Sequence, residues 1–227
     1  MTSELWRRLA AEALGTMLLV GCVIGSGILA DNVSSDDGVS LLGNTIATAA
    51  MLAVLILALG PVSGAHFNPA VTLVMTLRRE LPAAQAIGYV MAQCAGAMAG
   101  TLLAHAMFAL PLIQAATHDR SGFSTALAES VATFALVFTI LAVRRSQPNA
   151  TPYAVALIIA AGYWWTASTS FANPAVTLAR SFTDTFSGIR PVDAPGFVIA
   201  QAVGALLAAG TFAVLFGRTA NPPPDPD

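Results

Sequence analysis

The chain has 227 residues, of which 56% are hydrophobic and only 10% are charged, and its formal net charge is −2. A water-soluble globular domain needs a larger share of charged residues, and a nucleic-acid-binding protein needs an excess of positive charge, so the composition excludes both classes. It predicts an integral membrane protein.

Six apolar runs predict six membrane-spanning helices. Most runs are near or above the ~20 residues that a spanning helix needs, and they do not alternate as the strands of a membrane barrel do. They cover residues 9–31, 39–60, 84–110, 123–143, 152–168 and 193–217. We expect an all-α membrane protein with one channel domain over residues 1–217, in two halves at about 9–110 and 123–217. The tail at 218–227, rich in proline and aspartate, is expected to be disordered and cytoplasmic.

The landmarks of the first half return in the same order in the second half. In the first half they are Glu12 in the first run, Asn68-Pro69-Ala70 after the second, and Gln93 in the third. In the second half they are Glu129, Asn173-Pro174-Ala175 and Gln201. Because each half has three spans, the second copy enters the membrane from the opposite face, which predicts an inverted repeat with the functional site at its interface.

The string Asn-Pro-Ala-Val-Thr-Leu occurs at residues 68–73 and again at 173–178, and each copy is typical of a helix start. Asparagine suits the N-cap, and proline suits the first turn, where its missing N–H costs nothing. Each copy therefore predicts a re-entrant half-helix. Small residues four apart, such as Gly96 with Gly100 and Ala200 with Gly204, predict closely packed helices beside them.

Two half-helix N-termini that meet at the membrane centre predict a pore for small neutral solutes. Their free N–H groups and dipoles repel cations, while the amides of Asn68 and Asn173 can donate hydrogen bonds to a passing oxygen. Glu12 and Glu129 are costly in a membrane, and we expect them to brace the re-entrant loops rather than to relay protons. His66 is expected either to line the inner mouth of the pore or to form a structural hydrogen bond within its loop.

Residues 63–72, Ser-Gly-Ala-His-Phe-Asn-Pro-Ala-Val-Thr, resemble the first signature of the aquaporin family. The second signature and the paired glutamates and glutamines extend this resemblance from Glu12 to about Gly217. The resemblance implies six transmembrane helices plus two re-entrant half-helices, a homotetramer with one pore per subunit, and central pore motifs formed by Asn68, Pro69, Ala70, Asn173, Pro174 and Ala175.

The chain departs from that family at the selectivity filter. Most members have an arginine after the second Asn-Pro-Ala, where this chain has Val176. By the family pattern, the other filter positions are Thr48, Ala161 or its neighbour Gly162, and Ser170, all of them small. This predicts a wide, arginine-free filter that passes water and glycerol-sized polyols. Arg180, one turn beyond Val176, is expected to point at the outer loop or a neighbouring helix, and the alternative is that it turns back and supplies positive charge near the filter.

The valine also resembles bacterial relatives linked to arsenic resistance, which implies undissociated arsenite or methylated arsenicals as solutes. The open alternatives are an ordinary water and glycerol facilitator, an energy-coupled secondary transporter and a non-conducting junctional protein. An enzyme is not expected, and neither is a cofactor or a metal site, because the three histidines are scattered. A nucleic-acid partner is not expected because the net charge is close to neutral.

The arginines predict the orientation of the chain in a bacterial inner membrane. Seven of the ten fall on one side when six spans are threaded alternately, which places both termini in the cytoplasm. These seven are Arg7, Arg8, Arg78, Arg79, Arg144, Arg145 and Arg218.

Overall fold

The computed structural model describes residues 3–217, and within this range the chain forms eight α-helices and no β-strand. The all-helical prediction is therefore confirmed, while the predicted disordered tail at 218–227 lies outside the described residues. The helices are α1 (Ser3–Val33), α2 (Asp37–Ser63), α3 (Pro69–Leu77), α4 (Ala83–Met107), α5 (Phe123–Ser146), α6 (Thr151–Trp165), α7 (Pro174–Arg180) and α8 (Ala194–Phe216).

Five of these helices, α1, α2, α4, α5 and α8, are long and apolar enough to cross a membrane. The sixth predicted span is α6, which has only 15 residues. At 1.5 Å per residue this helix is about 22 Å long, shorter than the ~30 Å hydrocarbon core of a bilayer. Pro152 sets its start in the first helical turn, and the extended backbone of Thr166 ends it. The span predicted at 152–168 therefore extends three residues too far, into the loop before Asn173.

The helices pack in two equivalent sets. α1 makes its most extensive contacts with α4, and α5 makes its most extensive contacts with α8. Both pairs are close at a glycine, because a Cβ at Gly96 would overlap the carbonyl oxygen of Ala13, and a Cβ at Gly204 would overlap that of Ser130. The short helices α3 and α7 contact each other. This packing matches the inverted repeat expected from the sequence.

The order of the long helices gives the molecule two sides. With α6 counted as a crossing, the chain crosses six times, so α1 begins and α8 ends on the same side, which we call the terminal side. The opposite side, which we call the loop side, carries the connections at 34–36, 108–122 and 181–193. α3 returns to the terminal side after its re-entrant loop, and α7 returns to the loop side.

Candidate functional site

The two re-entrant loops share an unusual backbone conformation. In each loop the residues four, three and one positions before the asparagine have positive φ angles. They are Gly64 (89°), Ala65 (50°) and Phe67 (48°) in the first loop, and Thr169 (62°), Ser170 (54°) and Ala172 (48°) in the second. The left-handed region costs a non-glycine residue roughly 1–2 kcal/mol, so the surrounding contacts must hold these residues there. The internal repeat thus extends from sequence to backbone geometry.

Glu12 of α1 is fully buried and accepts four hydrogen bonds, two of them from backbone N–H groups of the first loop. Its Oε1 accepts hydrogen bonds from Ser63 Oγ at 2.7 Å and from the backbone N–H of His66 at 2.9 Å. Its Oε2 accepts from the backbone N–H of Phe67 at 2.7 Å and from Gln93 Nε2 at 2.8 Å. One carboxylate therefore serves four donors that would otherwise lie unpaired in a dry interior.

Glu129 of α5 holds the equivalent place beside the second loop and is also fully buried. The backbone N–H groups of Phe171 and Ala172 donate to its two oxygens at 2.8 and 2.9 Å, and Gln201 Nε2 donates at 2.6 Å. These are the contacts that a bracing role requires. They occupy both carboxylate oxygens with fixed donors.

The two glutamines connect the glutamates to the half-helices. Gln93 Nε2 also donates to Thr72 Oγ1 of α3 at 2.9 Å, and Gln201 Nε2 also donates to Thr177 Oγ1 of α7 at 2.8 Å. Each half-helix is thereby held through its threonine to a spanning helix of its own half.

Asn68 and Asn173 cap the half-helices that follow them. Asn68 Oδ1 accepts from the backbone N–H of Ala70 at 2.9 Å. Asn173 Oδ1 accepts from those of Ala175 and Val176 at 3.0 and 3.3 Å. Pro69 and Pro174 occupy the first helical turn in each case. These hydrogen bonds fix the start of each half-helix at its asparagine.

A cavity passes between these ends. Asn68 and Asn173 line its middle, and Thr48, Tyr163, Ser170, Val176 and Arg180 line its loop-side part. A second cavity opens from the terminal side between Arg8, Glu80 and Tyr89, and it shares Gly64, His66, Met75 and Arg144 with the first. The two cavities therefore form one path along the molecule.

Only some of the proposed filter residues line the cavity. Thr48, Ser170 and Val176 are buried and line the cavity. Gly162 is buried against Ser170, where a Cβ would come within 2.7 Å of the serine Cβ. Ala161, the other candidate for that position, is exposed and does not line the cavity. The expectation for Ala161 is thus wrong, because the turn of α6 places Gly162 toward Ser170.

The structure places His66 on the path and next to α3, and its ring nitrogen is not bonded within its own loop. Its ring lines the terminal-side part of the path, and its Nδ1 lies 3.1 Å from Thr72 Oγ1, within hydrogen-bond distance. Its ring also packs at a tilt against Tyr89, with 5.3 Å between the ring centroids.

Two residues of the loop-side cavity, Tyr163 and Phe171, were missed by the sequence analysis, and the place of a third, Arg180, was predicted only in part. Tyr163 directs its hydroxyl to Thr48 Oγ1 at 3.4 Å, so an aromatic ring is present in the filter region after all. Phe171 also lines the cavity. Arg180 donates from Nε to the carbonyl oxygen of Ser187, as a contact with the outer loop predicts, yet its side chain lines the cavity too. A signal was available for Tyr163, which lies next to Gly162, and for Phe171, which lies in the re-entrant loop two residues before Asn173.

The path is lined by hydroxyl, amide and carbonyl groups on apolar walls, together with the side chains of His66, Arg144 and Arg180. Within residues 3–217, no three His, Cys, Asp or Glu side chains lie close enough to hold a metal ion. The hydroxyl, amide and carbonyl groups of this lining can exchange hydrogen bonds with a small neutral solute.

Comparison with known proteins agrees with this geometry. The chain matches the "Major intrinsic protein" family over residues 1–163 and 144–223. It is 58% identical over 205 residues to the aquaglyceroporin AqpS of Rhizobium meliloti (strain 1021), covering 90% of this chain and 88% of that protein. It is 38% identical to aquaporin PIP2-7 of Arabidopsis thaliana over 145 residues, 60% of this chain and 51% of that protein.

A solved structure shares the fold. The X-ray structure of the aquaglyceroporin from Plasmodium falciparum superposes with a TM-score of 0.73, covering 93% of this chain and 96% of that chain at 21% identity. The half-helices, the path between them and the family match lead to one conclusion: the chain is a multi-pass membrane protein that belongs to the major intrinsic protein family, a family of channels and not of enzymes.

Proposed function

We propose that this protein is a passive channel for water and glycerol-sized neutral solutes, with undissociated arsenite or methylated arsenicals among its cargo. One observation carries the proposal. Val176 lines the cavity at the position where the aquaporin resemblance leads us to expect an arginine. An apolar side chain of this size leaves room that a guanidinium would fill and adds no charge to the filter.

The neighbouring filter residues support passage of hydroxylated solutes. Thr48 and Ser170 offer hydroxyl groups that both donate and accept hydrogen bonds, and Gly162 adds no side chain behind Ser170. Tyr163 and Phe171 give the same region apolar ring surfaces that suit a carbon backbone. A polyol has both kinds of surface. Similarity to a protein named as an aquaglyceroporin supports the same solute class.

A passive mechanism fits the state of the two buried carboxylates. Coupling to an ion gradient needs a titratable or ion-binding group that faces the pathway. Neither Glu12 nor Glu129 lines the cavity, and their oxygens accept hydrogen bonds from loop amides. We propose that both glutamates brace the loops and that solutes move down their own gradients.

The test is stopped-flow permeability of vesicles that contain wild type, Val176→Arg or Val176→Leu, measured for water, glycerol, urea and arsenite. We expect Val176→Arg to lose most glycerol and arsenite permeability while it keeps water permeability. Val176→Leu adds bulk without charge and separates a steric effect from an electrostatic one. Equal glycerol and arsenite permeability in wild type and Val176→Arg would contradict the wide-filter proposal, and uphill accumulation driven by a proton gradient would favour a transporter.

We also propose the orientation and assembly of the channel. Six arginines of the described range, Arg7, Arg8, Arg78, Arg79, Arg144 and Arg145, lie at or near helix ends on the terminal side, which supports a cytoplasmic position for that side of a bacterial inner membrane. Large apolar side chains such as Ile87 and Met91 are exposed, which suits contact with lipid or with neighbours in a homotetramer. Labelling of single introduced cysteines in intact cells, and the mass of the detergent-solubilised protein, test these two points.

A further inference from the structure

Arg180 is the last residue of α7, one helical turn beyond Val176 on the loop side. It is 3% exposed, and its side chain lines the same cavity as Val176 and Ser170. The carbonyl oxygen of Arg180 accepts from the backbone N–H of Ile189 at 3.1 Å, and its Nε donates to the carbonyl oxygen of Ser187. The returning loop therefore fixes this guanidinium at the pore and holds it away from solvent.

Arg120 packs beside Arg180 against the same aromatic ring, that of Phe171. The guanidinium carbon Cζ of Arg180 lies 3.4 Å from the ring centroid of Phe171, and that of Arg120 lies 5.0 Å from it. Arg120 donates from Nε to the carbonyl oxygen of Gly188 at 2.8 Å. The negative face of an aromatic ring and backbone carbonyls attract a cation without cancelling its charge.

No carboxylate forms an ion pair with either arginine in the part of the chain that the structure describes. Salt bridges within residues 3–217 involve neither Arg120 nor Arg180. Glu129, which lies next to Phe171 in the same network, accepts from loop amides and Gln201 instead. A buried charge without an ion-pair partner is costly, and an ionisable residue at membrane depth is by default a candidate functional residue.

We propose that Arg180, supported by Arg120, is the cation-excluding charge of this pore. It stands one helical turn beyond the position where the aquaporin resemblance leads us to expect an arginine, so charge and width are set at different levels of the path. Val176 leaves the filter wide, and Arg180 places a positive potential at its loop-side end, where an electrostatic barrier stops cations and hydronium but admits neutral solutes. This inference rests on the proposed channel function.

The experiment compares Na⁺ permeability and glycerol permeability, each per reconstituted protein, in vesicles that contain wild type, Arg180→Met, Arg180→Lys or Arg190→Met. Methionine keeps a long flexible side chain without the charge, and lysine keeps the charge. Arg190 is the matched control, because it lies on the same side but pairs with Asp119 and Asp193. We expect Na⁺ permeability to rise on the order of tenfold or more in Arg180→Met alone, because this variant removes one positive charge close to the passing ion in a partly dry site.

A fourth variant returns the charge to the filter position. The double variant Val176→Arg/Arg180→Met is expected to regain low Na⁺ permeability and to lose glycerol permeability relative to Arg180→Met. Arg180→Met protein that passes glycerol and shows wild-type Na⁺ permeability would overturn the inference. Wild type that passes no glycerol would instead contradict the proposed function, and the Na⁺ comparison would still decide this one. If Arg180→Met does not yield a monodisperse protein, Arg120→Met decides on the same readout, with a rise supporting and no change overturning the inference.

Discussion

Asn68 and Asn173 each bind the loop that carries the other. Asn68 Nδ2 donates to the carbonyl oxygen of Ala172, the residue before Asn173, at 2.7 Å, and Asn173 Nδ2 donates to that of Phe67, the residue before Asn68, at 2.8 Å. An amide nitrogen carries two hydrogens, so one N–H per asparagine holds the loops together and the other is left for the cavity. Cohesion of the two halves and hydrogen bonding to solute therefore come from the same side chains.

Asn68→Asp tests this double use. A carboxylate can still accept from the Ala70 N–H, but it cannot donate to the Ala172 carbonyl oxygen, and it adds a negative charge at the pore centre. We expect a loss of about 1–3 kcal/mol in stability, the cost of one buried unsatisfied group, together with reduced glycerol permeability. Thermal unfolding in detergent and stopped-flow assays measure the two effects. A variant with the melting temperature and permeability of wild type would show that the cross-loop hydrogen bond matters little.

Glu129→Ala tests the bracing of the second loop. The substitution removes the acceptor of three donors, the N–H groups of Phe171 and Ala172 and Nε2 of Gln201. At ~1–3 kcal/mol for each buried donor left unsatisfied, we expect a loss of at least about 3 kcal/mol. Glu12→Ala should behave alike, because Glu12 serves four donors. The control is Glu4→Ala, whose side chain is 76% exposed and should cost little. Comparable unfolding temperatures for the Glu129 and Glu4 variants would argue against bracing.

Gly96→Ala and Gly204→Ala probe the two equivalent helix contacts. A methyl group at either position would overlap a backbone carbonyl oxygen of the facing helix, Ala13 or Ser130, which cannot move without shifting that helix. Overpacking of this kind costs roughly 1–3 kcal/mol. Gly210→Ala adds the same methyl group to α8 in open space and serves as the control. The melting temperatures should fall for the first two variants only, and equal values in all three would refute the close-packing argument.

Acid should weaken a cluster at the terminal-side mouth. Burial on its own raises the pKa of Glu80, but hydrogen bonds and charge from Arg78 and Arg144 outweigh it and hold the pKa below its ordinary value of 4.5. The unfolded chain therefore binds a proton at higher pH than the folded protein does, and this contribution to stability is lost as pH falls from 4.5 through the folded value. We expect melting temperatures of wild type to fall more steeply below pH 4.5 than those of Glu80→Gln. Parallel curves would contradict this.

The sequence predicted the helical class and the two half-helices because the signals involved are local. An asparagine cap followed by proline needs no tertiary information, and neither does an apolar run. The length of α6 was misjudged because apolar residues continue past Trp165 although the backbone leaves the helix at Thr166. The positions of Tyr163, Phe171 and Arg180 depend on the rotation of α6 and on left-handed residues in the second loop, which composition does not reveal.

The contact between Gly162 and Ser170 has a consequence for how this pore can change. Because a side chain at Gly162 would collide with Ser170, any larger residue there would displace a serine that lines the cavity. A substitution at Gly162, which does not line the cavity, would therefore change the size of solute that the pore admits. Thr48, Val176 and Arg180 would all stay as they are.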